Sequence, residues 1–415
     1  MTKLIIKNGR IVYPRSIIEN CIVEIEEGLI SNVNPKWNGL TGTEDIIDAT
    51  GCYVAPGLID IQVNGYNSVS FSLENAEDTA KGNDDLTIED VKEVTKGLWK
   101  EGVTTYFPTL TTNSRELLIK NFKTLYMASS DESNLGSIAG FHLEGPYISA
   151  VDGFRGAHPL AYVRQPDINE FAALYKASGE KIKLITVAPE TDGALDFIAE
   201  CLKMGLVVSL GHHNGSSLQI SKATKAGAIL STHLGNGCPQ NIDRHNNHLW
   251  PQLANDSLKI CLIADGFHLP PDMLKVFYKV KGVENIILTS DITSYAGMPA
   301  GVYTIKGGET IEKTNNNKLS FSGTNGGLYG SATTLQDGVA HFMQVTGCGL
   351  HEAIQMATKN PAKIHGLTDR GIIETGKRAD LILFTIEDAK IVIQKTIVAG
   401  KIVYTKDENS KVNKI

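Results

Sequence analysis

The sequence predicts an α/β protein: a (β/α)8 TIM-like barrel with a small β-sandwich-like domain built from both chain ends. Three observations predict it. Eight short apolar runs alternate with helix-like stretches through the middle of the 415 residues, the pattern of repeated βα units. Five of those runs finish in Glu144, His212, His233, Asp265 and Asp291, and a barrel carries its chemistry at the C-terminal ends of its strands. Both chain ends are rich in short strand-like segments with Gly and Asn between them.

Taken in order, "KLIIKNGRIVY" and "CIVEIEEGLISNV" open the chain as strands, and "ADLILFTI" and "KTIVAGKIVY" near its end have the same character. Residues 1–56 and 372–415 are therefore expected to form the small β domain, and 57–371 the barrel. A barrel needs about 250 residues, so the length allows this division. The expected barrel strands are 58–63, 103–109, 138–144, 182–189, 206–212, 228–233, 259–265 and 285–291. Between the first two, "TIEDVKEVTKGLWKEG" places Ile88, Val91, Val94 and Leu98 on one stripe of a helix. The polar "EKTNNNKLS" at 312–320 reads as a hairpin or surface loop.

Composition narrows the function. A net charge of −7 argues against nucleic acid as the main partner, because phosphate backbones call for clustered Lys and Arg. Six scattered Cys without a Cys-x-x-Cys pair fit a reducing compartment. The opening "MTKLIIKNGR" lacks the apolar length of a signal peptide, and no 18-residue apolar run exists to span a membrane. The expectation is a cytoplasmic enzyme.

Its chemistry is read from the strand exits. Glu144, His212 and His233 offer a carboxylate and two imidazoles, the donor types that hold zinc at roughly 2.0–2.2 Å while leaving a position for water. An isolated His after an apolar run is more often a satisfied loop residue; three metal ligands at three strand ends are not. Asp291, at the last strand end, can serve as general base and then general acid, although "SDITS" is also good capping sequence. His213 would point away from His212 if the strand continued and is read as supporting or structural. At the exit of the first strand, "APGLIDIQVNG" presents Gln62 and Asn64, both weak neutral ligands.

Taken together, "PGLID", "GIIETGKRADLILF" and the ligand-tipped strands resemble the amidohydrolase superfamily. More narrowly, "FHLEGPYIS", "APE" at 188–190, "SLGHHNGS", "STHLGNG", "IADGFH" and "LTSDITSYAG" resemble the N-acetylglucosamine-6-phosphate deacetylase family, in order and over nearly the whole chain. The resemblance implies hydrolysis of the acetamide of a phosphorylated amino sugar, N-acetylglucosamine 6-phosphate, in amino-sugar catabolism. It implies that Gln62 and Asn64 stand where other superfamily members carry a His-x-His pair, as a vestigial second metal site. One divalent ion per subunit, Zn2+ with Fe2+ or Mn2+ as alternatives, would then be held by Glu144, His212 and His233. By position it implies substrate contacts from Ala157, His158, Asn236, Gly237, Asp265, His268, Leu328, Tyr329 and Gly330. Arg244 stands where the family has a phosphate-binding arginine that can reach a neighbouring subunit's site, so a homodimer is expected.

The departures lie on the substrate side. The family often has an aromatic residue and "NAM" after "HL", where this chain reads "HLGNGC" followed by the polar "PQNIDRHNNHLWPQ", with His245 and His248 extra. "SYAGMPAGVY" after Asp291 is also its own. The galacto epimer, or another N-acetyl sugar, is therefore an alternative substrate. Deamination or cyclic-amide hydrolysis fits less well, because neither the His-x-His pair nor a bridging lysine appears at the strand ends. A non-catalytic scaffold would lack Asp291 or Glu144, and both are present.

Overall fold

The computed structural model describes residues 3–34, 44–72, 85–305, 308–323 and 327–407. Residues 1–2, 35–43 and 408–415 of the expected small domain lie outside the described residues. Eight parallel strands form one sheet in sequential order: Leu58–Val63, Val103–Thr111, Phe141–Glu144, Ile182–Val187, Val207–Leu210, Ala228–Ser231, Lys259–Ile263 and Ile286–Thr289. These are the expected strands, the last five ending two residues earlier than expected and the second two residues later, and the barrel fold is borne out. Between the eighth strand and the first, a single bridge joins Ile292 to Val63. A second sheet combines strands between Leu4 and Pro56 with Leu381–Glu387, Lys390–Val398 and Lys401–Thr405 from the other end of the chain.

The helices follow from local chemistry. Ile88–Lys100 starts at Thr87, whose hydroxyl and the Asp90 carboxylate cap each other's backbone, and it buries Val91, Val94 and Leu98. Ser216 and Gln219 form the same capping arrangement at the start of Ser217–Ala226, directly after the His212 loop. The 312–320 stretch turns a hairpin between Thr310–Lys313 and Leu319–Phe321, the outer part of a three-stranded sheet begun by Gly301–Thr304.

Strand periodicity layers the barrel interior. Phe107, Leu184, Val207, Leu230, Cys261 and Ile287 belong to one buried apolar cluster. Two residues further along the same strands come Thr109, Thr186, Ser209, Thr232 and Thr289, all buried. Their hydroxyls are linked where they meet: Ser209 to Thr232 at 2.6 Å, Thr232 to Thr186 at 2.8 Å, and Thr186 to the His142 ring at 2.8 Å. A satisfied polar layer of this kind is rigid, and the next residues along the strands form the candidate site.

Candidate active site at the barrel mouth

Glu144 is the last residue of its strand, while His212, His233, Asp265 and Asp291 each stand two residues past theirs. His212, His233 and Asp291 have φ of 51°, 28° and 52°. A left-handed turn is strained for a side chain of this size and recurs at functional sites. It explains why the strands stop earlier than their apolar runs suggest.

Three of these side chains converge. Glu144 Oε1 lies 3.0 Å from His233 Nε2 and 3.3 Å from His212 Nε2, and the two ring nitrogens are 3.1 Å apart. All three residues are buried. His212 Nδ1 donates to the Phe154 carbonyl at 3.1 Å, which leaves Nε2 of the neutral ring as a lone pair facing the cluster. Two imidazoles and a carboxylate whose ligand atoms all lie within 4.8 Å of one another suit one borderline divalent ion. Burial works to raise the Glu144 carboxyl, but the His212 and His233 imidazoles beside it outweigh burial and hold it well below the ordinary range.

Asp291 is buried beside this cluster without joining it. Its Oδ1 accepts from Asn64 Nδ2 at 2.7 Å, and its backbone carbonyl accepts from Ser331 N–H at 3.1 Å. Burial, then the charge of Glu144, pushes its carboxyl up to about 7. Gln62 is buried with its Nε2 unpartnered. Asp265 and His268 form a buried pair, with Nδ1–H donating to Oδ2 at 2.7 Å while Asp265 Oδ1 accepts from the Phe267 and His268 N–H groups. Burial opposes ionisation of Asp265, but the His268 ring together with the His268 and Phe267 backbone N–H groups outweighs it and keeps the carboxyl low.

The expected substrate positions divide. His158 packs edge-on to the His212 ring at 4.3 Å between centroids, and Gly237 lies against the other part of that ring. Asn236 Nδ2 donates to the His233 carbonyl at 3.3 Å. Leu328, Tyr329 and Gly330 lead into Ser331 and so border Asp291, with the Tyr329 ring 6.2 Å from Tyr295 and 5.3 Å from Phe321. Ala157 is exposed. Arg244 is exposed on the 236–250 loop, and its carbonyl accepts from the Trp250 indole at 3.1 Å. His245 is exposed there too, whereas His248 is buried with its ring 5.4 Å from that of His213. Sequence reasoning missed Thr112, whose hydroxyl lies 2.7 Å from His158 Nδ1, and Asp60, which sits beneath Asp291. The only local signal for either was a polar residue within or just past an apolar strand.

Residues 53–403 match the sequence model of the amidohydrolase family. The chain belongs to that family and is a hydrolase. Within it the chain falls among the N-acetylglucosamine-6-phosphate deacetylases. It is 30% identical to the deacetylase of Bos taurus over 370 residues, covering 87% of this chain and 86% of that one. To the enzyme of Bacillus subtilis it is 29% identical over 415 residues, 99% of each. The crystal structure of the Pasteurella multocida deacetylase matches with a TM-score of 0.85 at 27% identity, covering 97% of this chain and 100% of that one.

Proposed function

We propose that this protein hydrolyses the acetamide of N-acetylglucosamine 6-phosphate, releasing acetate and glucosamine 6-phosphate, with one divalent ion per subunit. The observation that carries the reading is the pairing of a Glu144–His212–His233 donor set with a buried Asp291 whose Oδ1 is held by Asn64 at 2.7 Å. Zn2+, Fe2+ and Mn2+ all accept such donors. A bound ion supplies Lewis acidity to the substrate carbonyl and lowers the pKa of a water.

The chain's own groups do the rest. Asp291 takes the proton from the attacking water and returns it to the leaving nitrogen, so that its carboxyl ends each cycle as it began. Burial and the Glu144 charge raise this carboxyl above the ordinary range, toward the pH at which one group can both accept and return a proton. The Asp265 carboxylate fixes the orientation of the His268 ring through Nδ1–H, leaving Nε2 for substrate. The Thr112 backbone N–H points at His158 Nδ1 at 3.4 Å, which makes Nδ1 an acceptor and leaves Nε2–H to donate. Burial pushes that imidazole down to about 3, so it works as a neutral donor suited to a sugar hydroxyl.

Asn236, Gly237 and the 328–330 stretch complete the sugar's surroundings, with Ala157 beside His158. Arg244 is assigned to the phosphate, which its planar fork binds through two oxygens. Its exposure on an outlying loop favours action in a partner's site within a homodimer. Among the described residues no helix is long and apolar enough to cross a membrane, and a cytoplasmic location is part of the proposal.

The test is acetate release from N-acetylglucosamine 6-phosphate, its galacto epimer and both unphosphorylated sugars. The gluco phosphate should be turned over fastest. Preference for the epimer would reassign the sugar, equal rates without phosphate would remove the Arg244 role, and no acetate from any of the four by metal-loaded protein would end the deacetylase reading.

A further inference from the structure

The geometry points to Asp60 as the positioning residue for Asp291. Asp60 lies in the first barrel strand, is completely buried, and forms no ion pair among the described residues. Removing a carboxylate from water without a cation beside it is unfavourable, so its retention calls for an explanation beyond filling space. Its oxygens are instead saturated by donors. Oδ1 accepts from Thr289 Oγ1 at 2.7 Å, from Ser290 N–H at 3.2 Å and from Gln62 N–H at 3.3 Å. Oδ2 accepts a short hydrogen bond from the Ser290 hydroxyl.

Three of those four donors belong to the two residues that immediately precede Asp291. The Ser290 oxygen in turn accepts from Ile292 N–H at 3.2 Å, so the network grips the chain on both sides of Asp291. It does so at the seam where, in place of a regular ladder between the eighth strand and the first, an isolated bridge joins Val63 to Ile292. Asp291 itself holds a left-handed φ of 52°, a conformation that persists only when its surroundings over-determine it. Hydrogen bonds to a carboxylate are roughly twice as strong as neutral ones. Four hydrogen bonds converging on one buried carboxyl group therefore lock the turn that aims the Asp291 side chain at Asn64 and the ligand cluster. Asp60 acts through Asp291 and touches no reacting atom.

This inference rests on the reading that Asp291 moves protons, and the experiment separates the two. With N-acetylglucosamine 6-phosphate as substrate, Asp60→Asn should lower kcat by about 10–100-fold, with KM within about twofold and metal content unchanged. The same substitution in the Asp291→Asn background should cause no further loss, because a misaimed residue that is already disabled has nothing left to lose. If Asp60→Asn does not fold, Thr289→Val with Ser290→Ala removes the same hydroxyl bonds and takes its place in the cycle. A multiplicative loss in the double variant would mean that Asp60 merely holds the fold together, and a wild-type kcat in Asp60→Asn would remove the role outright. If Asp291→Asn alone kept its rate, the proton-shuttle reading would fail instead.

Discussion

Alanine at position 237 should damage the ligand cluster without altering any ligand. Gly237 has φ of 59°, and a Cβ built there would stand 2.8 Å from His212 Nδ1 and 3.0 Å from Cε1. The ring cannot retreat freely, because Gly156 approaches it too: a Cβ at 156 would lie 2.9 Å from the same Cε1. His212 is thus confined by two glycine backbones, with Nδ1 fixed on the Phe154 carbonyl at 3.1 Å. Two separable effects follow from Gly237→Ala. The left-handed backbone costs about 1–2 kcal/mol for any L side chain. In addition the imidazole must shift by several tenths of an ångström, straining a hydrogen bond of about 0.5–1.5 kcal/mol and moving Nε2 away from the point that Glu144 and His233 share.

Gly205 isolates the first effect. It has φ of 78° and nothing within 4 Å of a built Cβ, so Gly205→Ala should destabilise by the backbone term alone and leave metal affinity unchanged. Gly237→Ala should lose about 1 kcal/mol more and bind metal about 10–100-fold more weakly, the range typical when a ligand's support is disturbed. Denaturant unfolding measures the stability, and competition with a chromogenic chelator measures the affinity. If Gly237→Ala binds metal as tightly as wild type and is no less stable than Gly205→Ala, the His212 ring is not confined as described and the support argument is wrong.

Metal analysis of purified protein should give a stoichiometry near one per chain, with most of it lost in Glu144→Gln or His233→Ala; a reproducible two would mean that Gln62 or Asn64 also ligates. Asp291→Asn should retain metal and substrate binding while kcat falls by about 10²–10⁴-fold, and a near-wild-type kcat would remove the assigned base. Mixed Arg244→Ala and Asp291→Asn subunits should partly recover activity if Arg244 serves the partner's site, whereas no recovery in subunits shown to exchange would return it to its own. Acid should weaken the fold through His213, His248 and His365, whose imidazoles burial pushes down to about 3, 4 and 3. Below about pH 6.5 the unfolded chain binds more protons than the folded one, so stability falls with pH by up to about 1.4 kcal/mol per unit for each. His365→Leu should flatten that dependence between pH 6.5 and 4, and an unchanged slope would contradict the assignment.

The barrel was legible because each strand is buried and so apolar along its length, and because chemistry collects where those runs end. Five strand-end residues were readable for that reason. The strand ends themselves were not. Sequence extends the run "LVVSLGH" through His212, but pairing stops at Leu210, since a residue in a left-handed turn cannot continue a ladder. Likewise "IAGFHLE" looks like one strand from 138, yet its run begins at Phe141, with Ile138 limited to an isolated bridge to Tyr106. Tertiary pairings were out of reach altogether. His213 reads only as supporting or structural and His248 as unexplained, and their ring contact joins two loops 35 positions apart. Thr112 meets His158 across 46 positions, and Asp60 meets Ser290 across 230.

The exchange of imidazoles for amides at positions 62 and 64 is better understood through hydrogen-bond direction than through ligand loss. An imidazole at position 64 could offer a lone pair to a second cation. Asn64 instead turns an N–H donor toward Asp291, and Gln62 keeps an unpartnered Nε2, also a donor. A donor cannot ligate a cation, and the Asn64 N–H serves the Asp291 carboxylate instead. The same hydrogen bond favours the ionised form of Asp291 and opposes the two larger influences, burial and Glu144, that push it up to about 7. Replacing Asn64 by Leu removes that opposition and leaves the fold's other bonds to Asp291, through Ser331 and the Asp60 network, in place. The acid limb of the kcat profile should then move to higher pH, because a base that is harder to ionise becomes available later as pH rises. An unmoved limb would show that Asn64 only fills the space of a lost ligand.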